Sequence, residues 1–162
     1  MTTIVPYTPS PTTPFRFSAT LDGQAYIATV VWGLFGRRLY LNLTDTGGRL
    51  IFSRPMLGSP PGVAIQSLAW QLGIVTLETA LPHGFAITDT VSVSIKNCLP
   101  EALNGKRNVL VTTATAVTFP LSPDPGNVSQ NGRMDYHVDI AAGYFTSSLI
   151  YRPDDNQFEV EP

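Results

Sequence analysis

The chain has 162 residues, a formal net charge of -2, and only 14% charged residues, against about 25% in typical soluble domains. That length accommodates one domain or two small ones. The absence of a basic stripe disfavours nucleic-acid binding through phosphate neutralisation, and no apolar run approaches the 18 or so residues of a membrane span. Cys98 is the single cysteine, which excludes an intrachain disulfide. Lysine occurs only at 96 and 106. A surface poor in lysine is a property of interfaces, where arginine and aromatics are retained and lysine is depleted; it is also compatible with an ordinary β protein.

Residues 1–14 hold Pro6, Pro9, Pro11 and Pro14 among threonines, and are expected to form an extended arm with no ladder of its own. The start lacks the basic and apolar regions of a signal peptide, so a reducing cytoplasm is the expected site of synthesis.

From Phe15 to Ser53 the sequence predicts a four-stranded meander. Phe15–Leu21 alternates apolar and polar residues, Asp22-Gly23 supplies a hairpin turn, and Ala25–Trp32, Arg38–Thr44 and Arg49–Ser53 follow. Leu39, Leu41 and Leu43 share one face. The Ala25–Trp32 segment is apolar on both faces and is expected to be central or covered.

Gly58-Ser59-Pro60-Pro61-Gly62 breaks the chain. Val63–Leu72 is ambiguous between a short helix and a strand, with strand preferred. A second unit is expected over 73–126, with strands at Gly73–Ala80, Thr90–Lys96, Arg107–Thr113 and Ala116–Leu121 and a turn at Asn104-Gly105. Residues 127–135 are expected to be a loop. Strands Ser147–Arg152 and Gln157–Val160, joined by a turn at Asp154–Asn156, are expected to return and close the meander. The expected fold class is all-β: a small antiparallel barrel or sandwich over 15–72 plus 127–162, with a second small β domain inserted at 73–126.

The chemistry-bearing residues are few. Cys98 and His83 could together form a thiol nucleophile and its base, but no flank resembles a cysteine-peptidase signature, and an incidental cysteine is the better reading. Asp135, His137 and Asp139 alternate as a strand face could present them to a metal; a solvated edge strand is the commoner meaning. Asp154-Asp155-Asn156 lacks calcium-loop spacing. Glutamate occurs only at 78, 101, 159 and 161, with the last two in the tail, which offers little for glycoside cleavage. Asn42-Leu43-Thr44 and Asn127-Val128-Ser129 match the glycosylation triplet, and without a secretion signal are read as chance. Tyr40 and Tyr144-Phe145 could stack on sugars or anchor a protein interface, the latter preferred. No catalytic, cofactor-binding or metal-ligating residue is assigned, and no cofactor is expected.

Two stretches carry a resemblance. Thr13-Pro14-Phe15-Arg16-Phe17-Ser18-Ala19-Thr20-Leu21-Asp22-Gly23-Gln24-Ala25-Tyr26, then Trp32, a glycine-bearing bend and Leu39-Tyr40-Leu41-Asn42-Leu43, resembles the opening of the small bacteriophage baseplate plug family. The likeness covers about residues 15–62, and Leu149-Ile150-Tyr151 loosely. His83-Gly84-Phe85, Thr88-Asp89-Thr90-Val91, Leu103-Asn104-Gly105, Thr118-Phe119 and Asp124-Pro125-Gly126 resemble a small β module of phage tail proteins, with Thr88 where that module usually has glycine. The resemblance implies a non-enzymatic structural component of a tailed-phage virion, in the baseplate or hub of a contractile tail. It implies hub, tube and wedge proteins as partners, several copies around the tail axis, and neither nucleic acid nor membrane. The alternatives are a host-glycan-binding module of the tail tip and, less favoured, a cell-wall hydrolase.

Overall fold

A computed structural model describes residues 2–161. In chain order the described strands are β1 (Thr3–Pro6), β2 (Phe15–Leu21), β3 (Gln24–Gly33), β4 (Arg38–Asp45), β5 (Leu50–Pro55), β6 (Val63–Gln71), β7 (Ile74–Thr79), β8 (Thr90–Lys96), β9 (Gly105–Val111), β10 (Ala116–Pro120), β11 (Arg133–Tyr136), β12 (Ser148–Arg152) and β13 (Gln157–Glu161). Among the described residues a single 3-10 turn, at Glu101–Leu103, interrupts the strands. The chain divides into two compact units, 1–59 with 138–162, and 60–137.

In the first unit β2-β3-β4-β5 form an antiparallel sheet. Its first turn is closed by the Leu21–Gln24 pair, with φ of 49° at Asp22 and 77° at Gly23. Positive φ at both central residues is the mirror-image turn whose twist matches the strands it joins. Alternation puts Ala19, Leu21, Ala28, Val30, Leu41, Leu43 and Phe52 on the buried face. The second sheet, β1-β13-β12, contributes Leu149, Tyr151, Phe158 and Val160 to the same core. Full burial of one such side chain is worth about 1.5–3 kcal/mol. β3 is an inner strand of its sheet, as its two-sided apolar pattern implies. Its outer residues Ile27, Thr29 and Val31 are half-buried rather than sealed.

The N-terminal segment departs from the expected free arm. β1 pairs with β13, from Thr3 opposite Val160 to Pro6 opposite Gln157. Tyr7 is buried, donates its backbone N–H to the Asn156 carbonyl at 2.8 Å, and packs 5.0 Å from Phe15 and 5.2 Å from Phe158. Proline is tolerated because β1 is an edge strand, where a missing N–H leaves no ladder bond unmade. The buried ring of Tyr7 supplies the apolar area that secures it. Thus β12 and β13 lie beside β1 in a sheet of their own and cap the meander across a shared core.

The second unit is a closed antiparallel barrel of order β10-β7-β6-β11-β8-β9. It extends beyond the expected 73–126 at both ends. β6 is a strand, as preferred, and β11 begins within the 127–135 segment expected to be a loop. Both are barrel staves: Arg133 and Met134 pair with Ala64 and Val63, and Arg133 to Tyr136 pair with Lys96 to Val93. The physical reason is closure, because removing either stave would open two sheet edges. Val75, Leu77, Val93, Ile95, Val109, Val117, Phe119 and Met134 fill the interior. Asn104 lies just beyond the 3-10 turn, and Gly105 already opens β9.

Candidate functional site

The nucleophile pair does not assemble. Cys98 follows β8 and is fixed by Asn104, whose Oδ1 accepts from the Cys98 N–H at 2.8 Å and whose Nδ2 donates to the Cys98 carbonyl at 3.0 Å. Its thiol is buried and donates to the Asn131 carbonyl at 2.8 Å. Burial pushes this thiol up to about 11, so at neutral pH it is a protonated, weak nucleophile. His83 is buried elsewhere in the barrel unit. Its Nδ1 accepts from the Phe85 N–H at 3.2 Å, its ring stacks 5.0 Å from Phe85, and its carbonyl accepts from the Tyr136 hydroxyl. No recorded contact among the described residues joins His83 to Cys98.

The supposed metal face dissolves because β11 ends at Tyr136, so alternation does not carry through to 139. Asp135 is buried and meets Arg133 Nε at 3.0 Å and Lys96 Nζ at 3.4 Å. These are charge contacts rather than aligned hydrogen bonds. His137 Nδ1 lies 3.1 Å from Ser94 Oγ. Asp139 belongs to the other unit, where its Oδ1 accepts from the N–H groups of Ala141 and Leu149, each at 2.9 Å. No group of three or more potential metal ligands occurs among the described residues.

The glutamates are also dispersed. Glu78 is exposed near Ser67, and Glu101 lies in the 3-10 turn. Glu159 and Glu161 are not in a loose tail: both are buried in β13, where Glu159 Oε2 accepts from Arg152 Nε at 3.1 Å. Asn42 and Ser53 share a 2.6 Å hydrogen bond across β4 and β5.

Surface features are more developed. The β3–β4 turn, residues 34–37, ends in exposed Leu34 and Phe35 above a partly exposed Trp32. Gly33 and Gly36 face the Tyr40 ring so closely that an added Cβ would lie 2.5 Å and 2.8 Å from it. Glycine at both positions lets the hairpin fold over Tyr40, which explains why that ring is half-buried. Arg37 and Arg38 complete the tip, Arg37 with a φ of 46°.

A cleft of about 290 Å³ on the same unit is lined by Arg54, Pro55, Leu57, Val138, Asp139 and Ile140. Arg54 donates to the carbonyls of Ile140 and Ala142, both at 2.9 Å. Its guanidinium also sits 5.4 Å and 4.9 Å from the ring centres of Phe52 and Tyr144. Tyr144 is exposed, whereas Phe145 turns inward against Tyr26 at 4.9 Å. A second cleft, of about 460 Å³ on the barrel unit, is lined by Leu68, Trp70, Asp124, Gly126, Asn127 and Val128. Trp70 is held there by its Nε1–H, which donates to the Leu121 carbonyl at 2.8 Å.

Sequence reasoning passed over the Leu34–Phe35 tip. Its signal was a pair of large apolar residues inside a glycine-flanked turn, where turns are usually polar. Together these features describe an all-β protein of two units whose most prominent surface element is an apolar hairpin tip. No family model, curated protein or solved structure matches the chain.

Proposed function

We propose that this chain is a structural component of a tailed-phage virion, in the baseplate or hub of a contractile tail, and that it works through protein–protein interfaces rather than catalysis. The carrying observation is the Leu34–Phe35 tip on a well-packed meander, an apolar projection with no partner in its own chain. Large apolar groups held in solvent mark interaction sites. The meander's Phe15–Tyr26 sequence, its Leu-Asp-Gly turn and its leucine strand support the baseplate assignment by resemblance. The low lysine content supports an existence spent at interfaces. Hub, tube or wedge proteins are the proposed neighbours, with several copies around the tail axis.

Deleting the gene from the phage and imaging the lysate by negative-stain electron microscopy tests this reading. The expected outcome is heads without complete tails, or tails lacking an ordered tip, restored by the gene in trans. Normal infectious particles would refute it.

A second reading, glycan binding, is favoured by one observation: Trp70 lies beside Asp124 and Asn127 in the barrel cleft. An aromatic ring flanked by an acid and an amide can stack on and hydrogen-bond a pyranose. Glycan-array binding lost on Trp70→Ala would support it.

A further inference from the structure

The hairpin tip has a complement on the same unit. Phe35 is 108% exposed and Leu34 81%, so the two side chains stand side by side in water. Among the described residues Arg37 and Arg38 have no carboxylate partner; Arg38 Nε reaches only the Gly36 carbonyl, at 3.4 Å. The Arg54–Ile140 cleft opens at the same end of the sheet. Met56 donates its N–H to Leu39, the second residue of β4, at 2.9 Å, and Leu57 on the cleft wall comes next. The wall is largely apolar, formed by Pro55, Leu57, Val138 and Ile140. An apolar cavity of about 150 Å³ already admits benzene, so a cleft of about 290 Å³ has room for the Phe35 ring.

The charges are complementary too. Asp139 lines the cleft, and its bonds to the Ala141 and Leu149 amides use Oδ1. Asp154 is exposed just after Pro153, whose ring packs against Gly58 beside Leu57. The cleft's own cation, Arg54, is committed to two carbonyls and two rings, so it does not compete for these carboxylates.

We propose that the Leu34–Phe35 tip of one copy docks in the Leu57–Ile140 cleft of a second copy of this chain, with Arg37 and Arg38 facing Asp139 and Asp154. Tip and cleft share one end of the sheet, so two copies meeting end-on can exchange tips reciprocally, a self-complementary contact. An anionic lipid surface would accept the same apolar and basic tip, but it would leave the cleft unfilled and would repel its acidic rim. A second copy satisfies both features. The inference deepens the structural reading, since it rests on the chain acting through protein contacts and names one of them.

Two tips bury an area at the small end of specific interfaces, so association is expected on the order of tens of micromolar. Sedimentation velocity of the full chain over roughly 1–200 µM tests this. The expected mass rises from 17.5 kDa to a discrete multiple of it. Phe35→Ser and Leu57→Glu are both exposed substitutions, checked for folding by circular dichroism. Each is expected to weaken association by roughly tenfold or more. Mixing the two variants rebuilds one of the two reciprocal contacts, because one keeps the cleft and the other the tip, so the mixture associates more tightly than either variant alone and less tightly than wild type.

A wild-type chain that stays monomeric throughout would overturn the proposal. So would association indifferent to either substitution, a mixture that associates no more tightly than either variant alone, or a monomer that instead co-sediments with equimolar phosphatidylcholine–phosphatidylserine vesicles through Phe35. The virion assignment fails or stands separately: a monomeric chain still found in the tail sinks only the contact, and a dimer foreign to the tail sinks only the assignment.

Discussion

Asp22 sits at the first hairpin turn, and its carboxylate fastens a distant segment of the same unit. Oδ1 accepts from the Thr146 hydroxyl at 2.6 Å and the Ser147 N–H at 2.8 Å, while the Asp22 N–H donates to Ser147 Oγ at 2.8 Å. The Thr146 hydroxyl bond is the chief cause, with the Ser147 and Thr146 amides, that holds this carboxyl well below the usual aspartate range. A depressed pKa contributes stability that is present above the unfolded value of about 3.9 and is lost as pH falls toward the native one. Asp22→Asn is therefore expected to lower Tm at pH 7, with the gap to wild type narrowing below about pH 4; thermal melts across pH 2–7 measure it.

Cys98 gives a second residue-scale expectation. With its thiol raised to about 11, it should resist a disulfide reagent at pH 8 and react promptly after denaturation, as a colorimetric thiol assay would show. The Leu-Asp-Gly turn was legible in the sequence, but the latch to Thr146 and Ser147 was not. It spans 124–125 residues of chain, and local pattern carries no information at that range.

At the scale of elements, legibility followed apolar alternation. β2 to β5, β8, β12 and β13 all alternate or run apolar, and their positions were expected to within a residue or two. β1 and β11 escaped for different reasons. β1 ends in a proline and gains its place only from Tyr7 and the partner strand β13. β11 reads Arg-Met-Asp-Tyr, and its Asp135 looks like a loop residue until Lys96 and Arg133 are seen to compensate its buried carboxylate.

Each case yields a measurable consequence. Tyr7→Ala removes a buried ring and is expected to cost about 3–5 kcal/mol, with faster amide exchange at Thr3–Val5 and Gln157–Val160 that hydrogen exchange would detect. Gly62→Ala would press a Cβ onto the Asp135 carboxylate and within 2.5 Å of the Met134 carbonyl and 2.9 Å of Asp135 Cα. Two of those three neighbours are backbone and cannot rotate away, so denaturant unfolding should report a loss of about 1–3 kcal/mol or more.

For the whole molecule, the relevant fact is where the second unit enters and leaves the first. The Val138 N–H donates to Ser59 Oγ at 3.1 Å, so the two ends of the host unit already touch. Each unit owns a separate apolar core, as an inserted domain should. Replacing 60–137 by a short glycine-bearing turn is expected to leave a folded first unit with a single cooperative transition; loss of cooperative unfolding would show that the host depends on its insert. An insert was expected from the second run of strands after Gly73, while its limits at 60 and 137 were not, although the breaker at Gly58–Gly62 marks the first of them, because barrel closure is a property of the assembled staves.

The assignment to a phage tail rests on the meander's sequence and on an apolar tip that the chain itself leaves uncovered. Quantitative mass spectrometry of purified virions tests it most directly. The expected result is this chain present in fixed multiple copies per particle, alongside tube and hub proteins. Its absence from purified particles, with abundant chain left in the lysate, would contradict the account.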